Sequence, residues 1–493
     1  MISFTADEKA MPCHIESSSK HRHIIETEAP GRSRRRREPI CGDDRLSSLP
    51  DATIVSIISL LPTDDGARTQ ALATRWRHLW RSAPLNLCDE DLHAHGLDRA
   101  DIVSRILSSH PGPVRRFSVR RRSRGKNLDI DGWLRSPKLD DLRELELCYG
   151  FSPVAMPPAA FRFASSLCAL TLSAGGSVFG GGEFVQFPSE DVDKFHFPHL
   201  KQLTIQCITI EEGSIHTLLA KCPVLESLVL SQNEGFHCLR ISSPTLRSFA
   251  VSADCEELME TDRLKQVIVE DALLLERFII RHPEEDGLLV RISGTPKLQV
   301  MGSLTYGITK LELGSTVFVE MMSVSLTTVV RTMKTLVVRL APPTIDDAIS
   351  LMKCFPCLEN LYVVVFPNER ARRTKLHDPR DYIECLDAHL KKFVLINYRG
   401  VKTDVEFAKF FLVNARVLQM MELATHHQSC DAKYLTKQRT MLDLKNRASQ
   451  DVKFAISIHS YRDDEVHICH IHDLSVSDPF DPSLCSCKTF HFL

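Results

Sequence analysis

The sequence has little that would commit it to a membrane, to export or to bulk electrostatics. No apolar run approaches the length of a bilayer span, and the longest, such as "LYVVVF" from Leu361, suit a single buried strand. The opening "MISFTADEKAMPCHIESSSK" lacks the apolar core of a signal peptide, so the expected location is the nucleus and/or cytoplasm. A formal net charge of -2 argues against a general polyanion binder. Without an export signal, the sixteen cysteines read as reduced thiols, mostly small buried hydrophobes, and not as disulfides.

Catalytic signatures are missing as well. "GGSVFGGGE" at 175–183 is glycine-rich, but it has no Gly-Lys-Ser/Thr ending and no phosphate-holding lysine, so it reads as a flexible insert. "VHICHIHD" brings together His467, Cys469, His470 and His472, with Cys485 and Cys487 beyond. It has no C-x-x-C pairing, and its alternation with Val466, Ile468 and Ile471 fits a strand better than a zinc site. Cysteines and histidines elsewhere form no nucleophile-and-base pattern. The expectation is a chain with no catalytic residue, no metal and no cofactor.

What is present is an ordinary globular composition, 43% hydrophobic and 25% charged over 493 residues, enough for about three domains. Residues 1–42 are polar, without hydrophobic periodicity, and carry arginines at 32 and 34–37, which reads as a disordered basic arm. A second arginine run, "RRFSVRRRSRGK", covers 115–126. Each run is either a solvated patch or a nuclear-import or nucleic-acid contact.

Residues 45–80 read "RLSSLPDATIVSIISLLPTDDGARTQALATRWRHLW" and hold two of the three tryptophans. Pro50 can open a helix on which Ile54, Ile57, Ile58 and Leu61 share a face, and Pro62 closes it. Thr63 is placed to cap a second short helix, with Asp64 and Asp65 favouring its dipole. On a third, Leu72, Trp76, Leu79 and Trp80 fall on one side before Pro84. Three such helices cannot bury so much apolar surface among themselves, which implies a docking face.

This stretch closely resembles the plant F-box motif: Asp44, Arg45, Leu46, Ser47, Leu49, Pro50 and Asp51 match its start, 61–63 its L-P-T, Ala67, Arg68 and Thr69 its A-x-R-T, and Arg75, Trp76, Arg77, Leu79 and Trp80 its end. Gln70, Ala73 and Thr74 depart from it. The resemblance implies docking on the Skp adaptor of a cullin-RING ubiquitin ligase, and through it on cullin. The expected adaptor-binding residues are Leu49, Pro50, Ile54, Ile57, Leu61, Trp76, Leu79 and Trp80, of the type from which hot spots are made.

From about residue 135 an L-x-x-L-x-L pattern recurs, beginning at Leu142, Leu167, Leu200, Leu225, Leu246, Leu264, Leu275, Ile308, Met333, Leu358 and Leu390. The spacing and the prolines at 198, 223, 244, 296 and 356 predict leucine-rich repeats of irregular length, each opening on a strand. Alternation turns Leu228 and Leu230 inward and puts Gln202, Thr204, Gln206, Ser227, Ser231, Asn360 and Tyr362, with Glu144 and Glu146, on a second face expected to be exposed and to read a target protein.

Residues 385–423, "CLDAHLKKFVLINYRGVKTDVEFAKFFLVNARVLQMMEL", closely resemble the FBD domain that follows F-box and leucine-rich repeats in plants. They read as a strand, a turn at Tyr398-Arg399-Gly400 and a helix carrying Phe407, Phe410 and Phe411. "FAISIHS" and "DLSVSDPF" look like closing strands.

The expected fold is therefore α/β: a three-helix F-box at 43–84, an irregular leucine-rich-repeat solenoid at 100–380, an FBD-type α/β cap at 381–475 and a tail at 476–493. The expected function is substrate recognition in a Skp-cullin-F-box ubiquitin ligase, by a receptor subunit that makes no bonds itself. The alternative is a non-ligase interaction protein or nuclear scaffold that contacts nucleic acid through its arginine runs. The net charge disfavours nucleic acid as a partner, and the sequence offers nothing for a membrane.

Overall fold

A computed structural model describes residues 46, 48–92, 98–120, 129–149, 156–174, 185–252, 263–281, 287–319, 322–325, 329–340, 344–365, 382–425, 432–458 and 466–481. The arm at 1–42, the glycine-rich stretch 175–183, Cys485 and Cys487 lie outside these residues.

Three helices open the described fold: α1, Asp51–Ile58; α2, Thr63–Arg68; and α3, Thr74–Ser82. Pro50 precedes α1 at its N-cap position and Pro62 precedes α2. Thr63 is therefore the first helical residue and not the cap that its side chain suggested. Its hydroxyl donates instead to the carbonyl of Asn86, 2.7 Å away, while the Asn86 amide donates to the carbonyls of Ser59 and Leu61. These bonds tie the helices to the strand that follows.

That strand begins a fourteen-stranded sheet in which order along the sheet equals order along the chain. Its members are β1 Leu85–Cys88, β2 Val114–Arg120, β3 Glu144–Tyr149, β4 Ala169–Ala174, β5 Gln202–Gln206, β6 Ser227–Ser231 and β7 Ser248–Ser252, then β8 Arg277–Arg281, β9 Val300–Leu304, β10 Thr335–Leu340, β11 Asn360–Val365, β12 Lys392–Ile396, β13 Met420–Thr425 and β14 Lys453–Ile458. Neighbours pair in parallel throughout, so each connection must cross over on one side of the sheet.

The repeat leucines supply that side. Leu228, Leu230, Phe249 and Phe278 are fully buried, as are Leu336, Leu361 and Phe393. In the middle of the array the crossovers are themselves strands, Cys238–Ser242, Gln266–Glu270, Leu288–Ile292 and Ile308–Leu313, which form a second, six-stranded sheet with Thr316–Val319 and Met322–Ser325. Two of the eleven pattern matches, starting at Leu264 and Ile308, belong to this second layer. Helices take its place on either side, at Glu212–Ala220 and Ile345–Cys354.

The residue just ahead of each strand carries a second ladder. The amide of Glu226 donates to the carbonyl of Lys201, that of Arg247 to Glu226, Glu276 to Arg247, Gln299 to Glu276, Lys334 to Gln299, Glu359 to Lys334 and Lys391 to Glu359. Their side chains alternate in sign on either side of the uncharged Gln299, from Lys201 to Glu276 and from Lys334 to Lys391, and Lys201–Glu226 (2.7 Å), Arg247–Glu276 (2.8 Å) and Lys391–Glu359 (2.6 Å) are ion pairs.

The FBD-like segment continues the array. β12 pairs with β11, and Asn397 and Gly400 take left-handed backbone at the turn. The helix Lys402–Asn414 lays Phe411 on Phe393 with ring centroids 4.1 Å apart. This helix is not the end of the solenoid, because β13 and β14 add two more strands; residues 454–458 of "FAISIHS" lie in β14, and its last two lie outside the described residues. "DLSVSDPF" is not a strand but a series of turns, and "VHICHIHD" contains a short helix, Ile468–His472.

Candidate docking surfaces

In the helical unit the structure divides the expected adaptor-binding residues into two groups. Ile54, Trp76 and Trp80 are buried within the chain itself; Leu49, Leu61 and Leu79 are half-buried; Pro50 and Ile57 are exposed. The Trp80 ring fills the space above Gly66, where a Cβ would lie 2.5 Å from its Cζ3, and packs on His110 at 5.2 Å. Trp80, Trp76 and Ile54 are thus core residues and not anchors held open for a partner, a correction to the sequence reading. Helical spacing groups residues on a face but does not say which face meets the rest of the chain. Between Asp51 and Ser82 the large apolar side chains left in water are Leu60 (68% exposed), Leu72 (63%) and Ile57 (36%).

The sheet face expected to read a target is also occupied. Residues 466–481 run across it from β5 to β12. Thr204 and Ser227 hold the His472 ring between them, with Nε2 2.7 Å from the Thr204 hydroxyl and Nδ1 2.8 Å from that of Ser227. Ser227 also donates to the Ile471 carbonyl, and Gln202 to that of His472. Because the one hydroxyl proton of Ser227 is so used, Nδ1 is assigned as the donor to Ser227, and in the neutral ring Nε2 then accepts from Thr204. Burial holds His472 well below its usual range, at about 4.

Further along, the buried Arg277 guanidinium donates to the carbonyls of His470 (3.2 Å), Asp473 (2.9 Å) and Val476. The Tyr362 hydroxyl donates to Asp478 at 2.7 Å, and Lys392 pairs with Asp481 at 2.6 Å. Phe480 packs on Tyr362, centroids 5.8 Å apart, in an apolar group with Val337, Val364, Val394, Ile396 and Ala424. Burial pushes the Asp478 carboxyl up, against the opposing pull of Tyr362 and Lys392.

Of the expected target-reading residues, Gln202, Thr204, Ser227 and Tyr362 are therefore bonded to the chain's own C-terminal segment. Ser231 is buried and accepts from Arg281; Asn360 donates to Thr335; Gln206 is half-buried. Period-two alternation placed them correctly on the outer face, but that face is covered. The residues that sequence reasoning missed, Arg277 and Lys392, had a signal: each is a cation at a face-outward strand position.

The arginine run at 115–126 is described only as far as Arg120. Arg115 and Arg116 pair with Glu144 and Glu146 on β3, and Arg120 with Glu146 and Glu90. These three cations are each paired with a carboxylate of the fold. The His467, Cys469 and His470 ligand atoms lie within 4.8 Å of one another, whereas His472 points away into the sheet.

Comparison with known proteins agrees with this architecture. Residues 130–363 match the family model of the leucine-rich repeats of "FBD-associated F-box protein At5g56370", and residues 378–423 match the FBD model. The chain is 27% identical to "F-box/FBD/LRR-repeat protein At4g00160" of Arabidopsis thaliana, over 84% of this chain and 94% of the relative. It is 22% identical to "F-box/FBD/LRR-repeat protein At1g13570" over 79% and 93%. To "FBD-associated F-box protein At5g60610" it is 33% identical over 46% and 58%. The chain thus carries the leucine-rich-repeat and FBD domains found in plant F-box/FBD/LRR-repeat proteins and is similar to such proteins over most of its length.

Proposed function

We propose that this chain is the substrate-recognition subunit of a Skp-cullin-F-box ubiquitin ligase, acting in the nucleus and/or cytoplasm. It binds the Skp adaptor through α1–α3 and a target protein through the repeat sheet, and accelerates ubiquitin transfer by proximity while forming no covalent bond of its own. The observation that carries this reading is the exposure of Leu60, Leu72 and Ile57 on a unit whose tryptophans are already inside. Large aliphatic side chains clustered in sequence and left in water have a reason to exist if a partner covers them. The unit sits at one end of the sheet, bonded to β1 through Thr63 and Asn86, so an adaptor held there would not cover the strands from β5 to β12.

The test is reconstitution with a Skp adaptor. The wild-type chain should co-elute with it, and a Leu60→Asp, Leu72→Asp variant with unchanged circular dichroism should not. Equal co-elution of the two would sink the assignment of the face, and failure of the wild type would sink the ligase reading.

A further inference from the structure

The C-terminal segment that covers the sheet is held in an unusual way. Its backbone-to-backbone hydrogen bonds are internal, from His470 and Ile471 to His467, Asp473 to Cys469, Val476 to Asp473 and Asp481 to Asp478. Among the described residues none joins its backbone to a strand of the sheet. It lies across the strands, and every polar tie passes through a side chain. Such a segment can open without breaking the ladder beneath it, which is the signature of a low-stability local unit on a stable scaffold.

Its removal would leave a surface of definite chemistry. The guanidinium of Arg277 would lose the carbonyls it now serves, and Lys392, whose ammonium sits 5.2 Å from the Tyr362 ring centroid, would lose its carboxylate. The apolar group that now receives Phe480 spans β10 to β13, around Lys392, and includes Tyr362, whose hydroxyl now binds a carboxylate. A bare face of this kind asks for a carboxylate, an aromatic ring and a second carboxylate, in the order Asp478, Phe480, Asp481.

We propose that the outer face from β8 to β12 is a peptide-binding site for an acidic segment carrying an aromatic residue, and that residues 466–481 occupy it in cis as a surrogate. A target protein would then be read by displacing the strap with a segment of the same pattern. This rests on the receptor reading for its role and deepens it by naming the class of target. The occupied state lowers the apparent affinity for a partner by the fraction of molecules in which the strap is open.

The experiment uses the full chain and two fluorescein-labelled synthetic peptides: residues 466–481, and the same peptide with Asp478 and Asp481 replaced by asparagine. The recipients are wild type, a strap-weakened Asp478→Asn, Phe480→Ala chain, and that chain with Lys392→Ala added. The weakened chain should bind the native peptide at least about tenfold more tightly than wild type does. The asparagine peptide should bind it at least about tenfold more weakly, and Lys392→Ala, which removes the partner of Asp481 but leaves the Tyr362 hydroxyl for Asp478, should shrink the difference between the two peptides severalfold.

A folded weakened chain that binds neither peptide, or both equally, overturns the proposal. If the weakened chain does not fold, hydrogen exchange on the wild type decides: amides of 466–481 must exchange well ahead of those in β6–β12, and exchange only together with the sheet overturns it. Adaptor co-elution, followed in the same samples, separates this failure from a failure of the ligase reading.

Discussion

Replacing Trp80 by alanine should unfold the helical unit rather than strip a contact from its surface. The indole is 8% exposed, closes over Gly66 and lies against His110, so truncation leaves a cavity bounded by two different parts of the fold. Tryptophan-to-alanine changes at such sites cost about 3–5 kcal/mol. The cost falls first on the unit that contains the residue, since the long sheet has its own core. If exchange occurs through opening of this unit, amides at 51–83 should exchange about a hundred to several thousand times faster, with those of β5–β12 unchanged. The assay is hydrogen exchange read by mass spectrometry, with Leu60→Ala as control. Leu60 is mostly in water, and its truncation should move stability by less than about 0.5 kcal/mol while weakening adaptor binding by about 2 kcal/mol. If Trp80→Ala left exchange at 51–83 unaltered, the assignment of Trp80 to the core would be refuted, and the indole would have to be reassigned to the docking face.

Arg277→Met should free the central part of the strap: three carbonyls lose charged donors, and amides of 470–476 should exchange at least about tenfold faster, a result checked against an unchanged β8. Acidification should loosen the His472 end. The ring is held near 4 in the closed state against about 6.5 when open, so the open state takes up the proton, and closure is lost as pH falls from 6.5 toward 4. Opening there should rise about twentyfold between pH 7 and pH 5 after correction for intrinsic exchange, while Asp478, whose carboxyl is shifted up, favours closure on the same descent. Gly400→Ala should cost about 2 kcal/mol or more, since the backbone is left-handed there and a Cβ would meet Gln438 at 2.5 Å, displacing it from the buried Tyr398 hydroxyl; denaturant unfolding of the two chains checks this.

The repeat strands were readable in the sequence because their leucines face one core at fixed spacing, and nine of the eleven matches lie on the large sheet. The two that do not, at Leu264 and Ile308, face the same core from the opposite layer, and periodicity reports the inward direction without saying from which side. β9 escaped because Ser303 stands at its last pattern position, and β13 fits the pattern, through Leu418, Met421 and Leu423, beyond the last match drawn. The strap was illegible for a different reason. Thr204 and His472 are 268 residues apart, and no local pattern encodes a contact that the chain makes only after the whole array has formed. Alternating histidines and isoleucines imitate a strand, whereas here Val466 and Ile471 pack on Val229, Ala250 and Ile279 around a single helical turn.

The charges that alternate ahead of the strands bear on how such an array avoids assembling out of order. Repeats this similar could pair with the wrong neighbour at little loss of hydrophobic contact, and the commonest such error is to skip one. Skipping from the Lys201 repeat past Glu226 would set lysine against Arg247, and skipping from Glu226 past Arg247 would set glutamate against Glu276. Like charges opposed across neighbouring strands are unfavourable, whereas from Lys201 to Glu276 the correct neighbour offers the opposite sign. A single exposed pair contributes little to stability. As a parity check between Lys201 and Glu276, however, the same pairs make a one-repeat slip unfavourable while leaving a two-repeat excision electrostatically silent, so arrays shortened within this stretch should tolerate loss of two repeats better than loss of one.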